Sequence, residues 1–285
     1  MLQYLLYLFK VIILTEVKSL KNKPIGIFDS GVGGLTVVKA LLKRLPHESF
    51  VYYGDTLHVP YGTKSREELF KYAHDIVGFL LDREVKTIVV ACGTHSSVTL
   101  PEMEKDCPLP LLGVVKPGAR AAVQTTQNGK IGIIATQASI NSGSYTKSIK
   151  AIAPHYETFS AACTRFVPLV EAGQLTGEET VLTVREYVSP LLQAGIDTLV
   201  MGCTHYPFLA PVISEYAGQN VALVDPASET VEELAEILFH RNLLNENSID
   251  GHREFYVSGS PESFYEVGRM LLGEVIGKVD KIVLD

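Results

Sequence analysis

The chain repeats itself at a spacing of about 110 residues, and this repeat restricts its possible folds more than any other feature. Three pairs of segments match: KPIGIFDSGVGG from residue 23 with GKIGIIATQASINSG from residue 129, TIVVACGTH from residue 87 with TLVMGCTH from residue 198, and GVVKPGA from residue 113 with ALVDPAS from residue 222. Three matches at nearly one spacing indicate two halves of related structure. Equivalent residues of the halves should therefore occupy equivalent places.

Short apolar runs alternate with helical periodicity from Pro24 onward, which is typical of βαβ units. Segment 66–83 carries apolar residues on one helical face. The predicted strands are apolar throughout, which suits parallel sheets covered by helices on both sides. They are residues 25–28, 50–53, 87–91, 111–115, 131–135, 198–201 and 221–224. The sequence therefore predicts an α/β fold of two pseudo-symmetric, doubly wound parallel-sheet domains.

Composition excludes several classes of protein. A hydrophobic fraction of 46% and a charged fraction of 20% exclude bulk disorder. The net charge is −7 without a Lys/Arg-rich run, so we expect no nucleic-acid partner. The four cysteines form no CxxC pair and no closely spaced disulfide framework. This pattern favours a reduced, cytoplasmic protein.

The first 23 residues differ from the rest of the chain. MLQYLLYLFKVIILTEV is apolar but short, with Lys10 in its middle. A spanning helix needs about 20 apolar residues, and a signal peptide has its charge in front and small residues at a cleavage site. Neither template fits. We interpret residues 1–23 as a dispensable extension or a misassigned start, with a membrane-surface anchor as the alternative; no membrane partner is expected.

Cys92 and Cys203 occupy equivalent places in the repeat. Each follows an apolar strand and begins a small polar cluster, CGTH at 92–95 and CTH at 203–205. The carboxyl ends of parallel strands are where such sheets bind ligands. Exposed N–H groups of a following helix would lower the thiol pKa from about 8.5 toward neutrality. We expect the two sulfurs to face each other across one cleft between the halves.

Two opposed thiols suit inversion of a carbon centre. Racemisation of an amino acid removes the α-proton on one face and returns a proton on the other, which requires a base and an acid that can exchange roles. Thiol and thiolate exchange roles near physiological pH. This chemistry needs no cofactor, and the sequence shows no cofactor fingerprint. We therefore predict a cofactor-independent racemase.

Other uses of the cysteines are less favoured. We interpret Cys107 and Cys163 as small core hydrophobes. A metal site could combine Cys92, His95, Cys203 and His205. Their spacing matches no familiar zinc finger, so no metal is predicted.

The segment DSGVGGL at 29–35 follows the first strand and opens a helix. Its free N–H groups could hold an anion. The segment matches neither GxxxxGK[ST] nor a full GxGxxG, so a nucleotide is weakly supported. A carboxylate ligand is favoured, because Asp29 would repel a phosphate but could pair with a substrate ammonium.

Several polar residues have both a structural and a functional interpretation. The pattern of residues 61–63, taken without their neighbours, indicates a plain loop. Thr94 and Thr204 could be helix caps, but each lies next to a cysteine cluster, which favours a site role. His205, two residues after the second cysteine, could be a core histidine or could assist proton transfer; the latter is favoured. Glu171 in FVPLVEAG remains open.

Five motifs in order, DSGVGGL, YYGDTLHVPYGTKS, VVACGTHSS, FVPLVEAG and GCTHYPFL, resemble those of glutamate racemases in the aspartate/glutamate racemase family. The resemblance runs from Pro24 to about Leu272. It implies that Cys92 takes the proton from D-glutamate and that Cys203 takes it from L-glutamate. It implies that four further residues assist them: Asp29, Asp55, Glu171 and His205. The implied substrate-binding residues are Asp29, Ser30, Tyr61, Gly62, Thr94, Thr204 and His205.

The resemblance also implies an architecture and a role. The active site would lie between two domains, the first made of residues 24–116 and 226–285 and the second of residues 117–225. It implies a homodimer with glutamate as its small-molecule substrate and no cofactor. The product, D-glutamate, would feed bacterial peptidoglycan synthesis, and so cell-wall biogenesis and cell shape.

The chain departs from the family at three positions. Gly93 replaces a usual Asn, Lys116 replaces the Glu of a Glu-Pro-Gly stretch, and Thr164 replaces a common proline. Losing the Asn amide removes a hydrogen bond worth about 0.5–1.5 kcal/mol if nothing replaces it. Two alternatives follow. The first is an aspartate racemase, because His95 after the first cysteine faintly resembles the Cys-Asn-Thr-Ala-His stretch of that related family. The second is a weakly active member that acts as a protein-binding module.

Overall fold

The computed structural model describes residues 20–284. The predicted extension therefore lies, up to residue 19, outside the described residues. No helix in the described part is long and apolar enough to cross a membrane. The strands within these bounds are, in chain order, β1 Ile25–Asp29, β2 Phe50–Gly54, β3 Thr87–Val90, β4 Leu111–Gly113, β5 Lys130–Ala135, β6 Glu157–Ala162, β7 Thr198–Met201, β8 Ala222–Val224, β9 Arg253–Val257 and β10 Val279–Lys281.

Helices connect most of these strands. In chain order they are α1 Leu35–Arg44, α2 Arg66–Asp82, α3 Gly93–Val98, α4 Leu100–Asp106, α5 Val115–Thr125, α6 Gln137–Ser142, α7 Ser144–Ile152, α8 Phe166–Glu171, α9 Glu178–Gln193, α10 Ala210–Ala217, α11 Pro226–His240 and α12 Pro261–Leu272. Short 3₁₀ turns occur at Tyr61–Thr63, Tyr206–Leu209 and Gly273–Val275. The predicted helix over 66–83 is confirmed as α2. Ser65 and Glu68 start it with a reciprocal capping box.

The strands form two separate parallel sheets. The first has six strands in the order β10-β9-β2-β1-β3-β4, and the second has four in the order β6-β5-β7-β8. Every pairing is parallel. The predicted α/β fold with two parallel sheets is confirmed, as is each of the seven predicted strands within a few residues of its bounds.

The sequence repeat corresponds to equivalent strand pairing. In the first sheet Ile25 of β1 pairs with Thr87 of β3, and in the second Ile131 of β5 pairs with Thr198 of β7. The next strand of each half is added in the same way: β4 pairs with β3 on the side away from β1, and β8 pairs with β7 on the side away from β5. The two cysteines therefore follow corresponding strands of the two sheets, each next to an edge strand.

The helices after β4 and β8 are exchanged between the halves. Val115 and Ala119 of α5 pack in the core of the second sheet, whereas Val231 and Leu234 of α11 pack in the core of the first. The two helices cross closely, since a side-chain carbon at Gly118 would lie 2.9 Å from the Pro226 ring. This double crossing joins the sheets, and residues that follow the carboxyl ends of their strands are in contact.

Candidate active site

The first cysteine lies just after the carboxyl end of β3. Cys92 is the N-cap of α3 and is only 3% exposed. Burial and the nearby charge of Asp29 raise the pKa of its thiol, although backbone N–H groups of His95 and Thr94 act in the opposite direction. The expected lowering of this pKa is therefore wrong for Cys92. The residue is a protonated thiol near neutral pH, with its Sγ 4.0 Å from the Ser30 hydroxyl.

Asp29, the last residue of β1, joins the glycine turn to the second half. Its Oδ2 accepts hydrogen bonds from the N–H groups of Gly31 at 3.1 Å and Gly34 at 2.9 Å. Its Oδ1 accepts the Thr204 hydroxyl at 3.2 Å. The expectation that the turn offers free N–H groups to an anion is therefore wrong for Gly31 and Gly34, because the Asp29 carboxylate already binds both.

The second cysteine belongs to a chain of three polar side chains. Cys203 is 7% exposed, and its Sγ lies 3.7 Å from Nδ1 of His205. On the other side of the ring, Nε2 lies 2.7 Å from Oε1 of Glu171 at the end of α8. Burial lowers the pKa of His205, but its hydrogen bonds to Cys203 and Glu171 outweigh burial and raise that pKa well above the ordinary value. His205 can therefore hold a positive charge beside the sulfur.

Residues of the first half contact this chain directly. A side-chain carbon at Gly31 would lie 3.3 Å from Oε1 of Glu171 and 3.9 Å from Nε2 of His205. A second link joins the hydroxyls of Thr94 and Thr136 at 3.0 Å. The structure thus brings together the sequence-predicted residues Cys92, Cys203, Asp29, Ser30, Thr94, Thr204, His205 and Glu171.

Asp55 lies behind the first cysteine rather than beside it. Its carboxylate accepts the Tyr61 hydroxyl at 2.5 Å and the Ser258 hydroxyl at 2.7 Å, and His58 Nδ1 lies 2.8 Å away. Tyr61 in turn packs against Cys92. Asp55 therefore holds the ring that packs against Cys92, an arrangement suited to positioning.

Gly62 and His95 also have defined places. A side-chain carbon at Gly62 would lie 2.9 Å from Cβ of Thr136, so this turn contacts the second half. The His95 ring is fully buried against Phe28 and Tyr61. Burial lowers its pKa to about 3, so the His95 ring is neutral at physiological pH.

Several residues around the site were not predicted from the sequence. Thr136 was identifiable, because it is the repeat equivalent of Ser30. Tyr52, whose hydroxyl donates to the Gly31 carbonyl at 2.7 Å, carries no local signal. Ser258 is likewise remote in sequence from the Asp55 that it contacts.

Replacing Glu171 by Gln should lower the pKa of His205. The raised pKa depends partly on this carboxylate, and the imidazolium is lost as pH rises through that value. NMR titration of the histidine ring signals measures the change. Because the pKa of His205 is raised in the folded protein, its charged form stabilises the fold below the unfolded-state pKa, and this stabilisation disappears as pH rises through the folded-state pKa. His95 serves as the internal control, and an unchanged His205 titration would contradict the assigned contact.

Comparisons with known proteins identify the family of this chain. The Asp/Glu/Hydantoin racemase family model matches residues 31–234. A glutamate racemase of Geobacter metallireducens is 47% identical over 263 residues, covering 92% of this chain and 97% of that protein. The crystal structure of glutamate racemase isoform RacE1 from Bacillus anthracis superposes with a TM-score of 0.88 at 36% identity, covering 93% of this chain and 98% of that one.

A second solved structure adds a ligand complex. Glutamate racemase from Francisella tularensis, in complex with D-glutamate, superposes with a TM-score of 0.84 at 36% identity and covers 93% of this chain and 98% of that one. The likeness to these two solved structures extends over nearly the whole chain. The chain belongs to the Asp/Glu/hydantoin racemase family and is an isomerase of the racemase type.

Proposed function

We propose that this enzyme interconverts L-glutamate and D-glutamate by two-base proton transfer at Cα, without a cofactor. The observation that carries the proposal is the placement of Cys92 and Cys203. They follow equivalent strands of the two sheets, and both are buried where the two halves are in contact. The relatives named glutamate racemase support the substrate.

The surroundings of the thiols suggest how each acts on the L-enantiomer. Cys203, with the imidazolium of His205 beside it, is the thiolate that removes the α-proton; the Cα–H bond breaks and an S–H bond forms. The Cys92 thiol, kept protonated by burial and Asp29, gives its proton to the opposite face of Cα. The two sulfurs exchange these roles in the reverse direction, as microscopic reversibility requires. No electrons are gained or lost overall.

The polar residues around the thiols form the proposed substrate site. Asp29 is the group suited to an ammonium, whereas hydroxyl and backbone N–H groups suit carboxylates. The proposed binding residues are Asp29, Ser30, Tyr61, Gly62, Thr94, Thr204 and His205. Asp29, Glu171 and His205 assist proton transfer, and Asp55 assists through Tyr61.

Circular dichroism with L-glutamate and L-aspartate in separate reactions tests the substrate. We expect faster loss of optical activity with glutamate, in the presence of a metal chelator and without pyridoxal phosphate. Faster inversion of aspartate would contradict the proposal and favour an aspartate racemase. Absence of inversion with either substrate would contradict the enzymatic function itself.

The proposed biological role is to supply D-glutamate for bacterial peptidoglycan in the cytoplasm. In this proposal residues 24–116 and 226–285 form one domain and residues 117–225 the other, with the site between them, and the enzyme is a homodimer. Light scattering tests the dimer. A monomeric mass at working concentration would contradict that part of the proposal.

A further inference from the structure

A small internal cavity lies next to the turn that carries Cys203. Its volume is about 10 Å³, on the order of what one water molecule needs. Tyr145 of α7 and Cys203 line it from the second half, and Thr36 of α1 lines it from the first. Val114 and Asp225, the residues that precede the exchanged helices α5 and α11, complete it. Any occupant therefore touches both halves and both crossings between them.

The Tyr145 hydroxyl is a buried polar group without a hydrogen-bond partner among the described residues. The residue is 3% exposed, and its ring packs on backbone, since a side-chain carbon at Gly202 would lie 2.9 Å from Cε2. Burial and the negative charges of Cys203 and Asp225 raise the pKa of this hydroxyl, so it keeps its proton. A buried O–H donor without an acceptor is costly, and such groups are almost always bonded to protein or to ordered water.

Asp225 offers an acceptor on the same cavity. Its Oδ1 accepts the N–H of Ala227 at 3.0 Å and caps α11, which leaves Oδ2 for another donor. Burial raises the pKa of Asp225, and a further hydrogen bond to the carboxylate would offset that cost. Tyr145 does not reach this carboxylate directly. A water between them would accept the Tyr145 proton and donate to Oδ2, and so would satisfy both groups.

We propose that one water molecule binds in this cavity between the Tyr145 hydroxyl and the Asp225 carboxylate, and that Tyr145 is a positioning residue for Cys203. Because the Tyr145 ring packs on Gly202, immediately before Cys203, the bridge ties the backbone of the cysteine to the start of α11. The catalytic consequence rests on the proposed function, because two-base transfer requires the Cys203 sulfur to reach Cα.

A crystal structure at a resolution that shows ordered water tests the site itself. We expect one water within hydrogen-bond distance of both the Tyr145 hydroxyl and the Asp225 carboxylate. A direct bond between these two groups, or a cavity without ordered water, would overturn the proposal.

Tyr145→Phe tests the positioning role, because it removes only the hydroxyl. Mass spectrometry after iodoacetamide treatment gives the alkylation rate of each thiol, and Cys163, buried in the second core, reports general loosening. We expect labelling of Cys203 to be faster by about 2–10-fold, the factor that corresponds to one net hydrogen bond, with labelling of Cys163 unchanged. The kcat should fall by a similar factor while KM changes little. Tyr156→Phe is the matched control, since Tyr156 is half-buried against the same core as Tyr145, and it should match the wild type.

Asp225→Ser tests the other end of the bridge, because serine is a good helix cap but is too short to hold the water. It should speed labelling of Cys203 as Tyr145→Phe does, and the double variant should add little, because both changes break one bridge. Additive effects in the double variant would overturn the bridge.

Two results would overturn the positioning role: wild-type labelling of Cys203 in Tyr145→Phe, and equal acceleration at Cys163. If Tyr145→Phe does not fold, Asp225→Ser supplies the same labelling test. Crystallography and labelling need no activity, so an enzyme that shows the water and the expected labelling but does not racemise glutamate would refute the proposed function while leaving the water site intact.

Discussion

Replacing either Cys92 or Cys203 by serine is expected to reduce racemisation in both directions by about 10²–10⁴-fold, the range for loss of a general acid or base. Each sulfur acts once in every turnover, as a base in one direction and an acid in the other. Serine nearly preserves the shape of cysteine but is a much weaker acid. The loss should therefore appear in kcat without unfolding the protein.

Cys107→Ser and Cys163→Ser provide matched controls, since neither residue belongs to the site. Steady-state racemisation of both enantiomers and thermal unfolding would be measured for all four variants. Wild-type-like kcat in Cys92→Ser or Cys203→Ser would contradict two-base chemistry. A comparable loss in Cys107→Ser would show that the effect is not specific to the cleft.

Breaking the buried ion pair between Lys86 and Glu48 is expected to lower the free energy of unfolding by about 3–5 kcal/mol. Nζ of Lys86 lies 2.5 Å from Oε2 of Glu48, and the two side chains are only 1% and 2% exposed. Nζ also donates to the carbonyls of Lys21 at 2.7 Å and Leu243 at 2.9 Å. Burial lowers the pKa of Lys86 while Glu48 opposes that shift, so removing the carboxylate leaves a costly buried cation.

Single and double variants distinguish the interaction between the two charges from the effect of removing each charge alone. Glu48→Leu and Lys86→Met should each destabilise strongly, whereas the double variant should recover part of the loss because neither charge remains unpaired. Glu48 also accepts the N–H of Asn245 at 2.8 Å, so recovery should be incomplete. Urea unfolding measures all three. Additive losses in the double variant would contradict coupling between the charges.

The repeat made the central part of the fold and site predictable. It predicted that β1, β3 and β4 correspond to β5, β7 and β8 in the second sheet, and that the two cysteines lie at equivalent strand ends. Strand β6 was not predicted because it lacks a strong apolar run; its residues are partly or fully exposed. The short β9 and β10 add to the first sheet through contacts remote in sequence, which a local pattern does not contain.

Electrostatics was less predictable than topology. The sequence indicated that Cys92 precedes a helix, but it did not show the burial or the proximity of Asp29 that raise the thiol pKa. It also indicated a glycine turn with free N–H groups, whereas Asp29 folds back onto Gly31 and Gly34. The ion pair of Lys86 and Glu48 spans separate segments and gave no sequence signal.

The most direct test of the central claim follows hydrogen isotopes during the first turnovers of L-glutamate in deuterium oxide. If two thiols act on opposite faces of Cα, the D-glutamate formed first carries deuterium at Cα, while the recovered L-glutamate still carries protium. The proton taken by one sulfur cannot be returned on the other face. Early D-glutamate that retains the original protium, or equal labelling of both enantiomers, would indicate a single base and contradict the account.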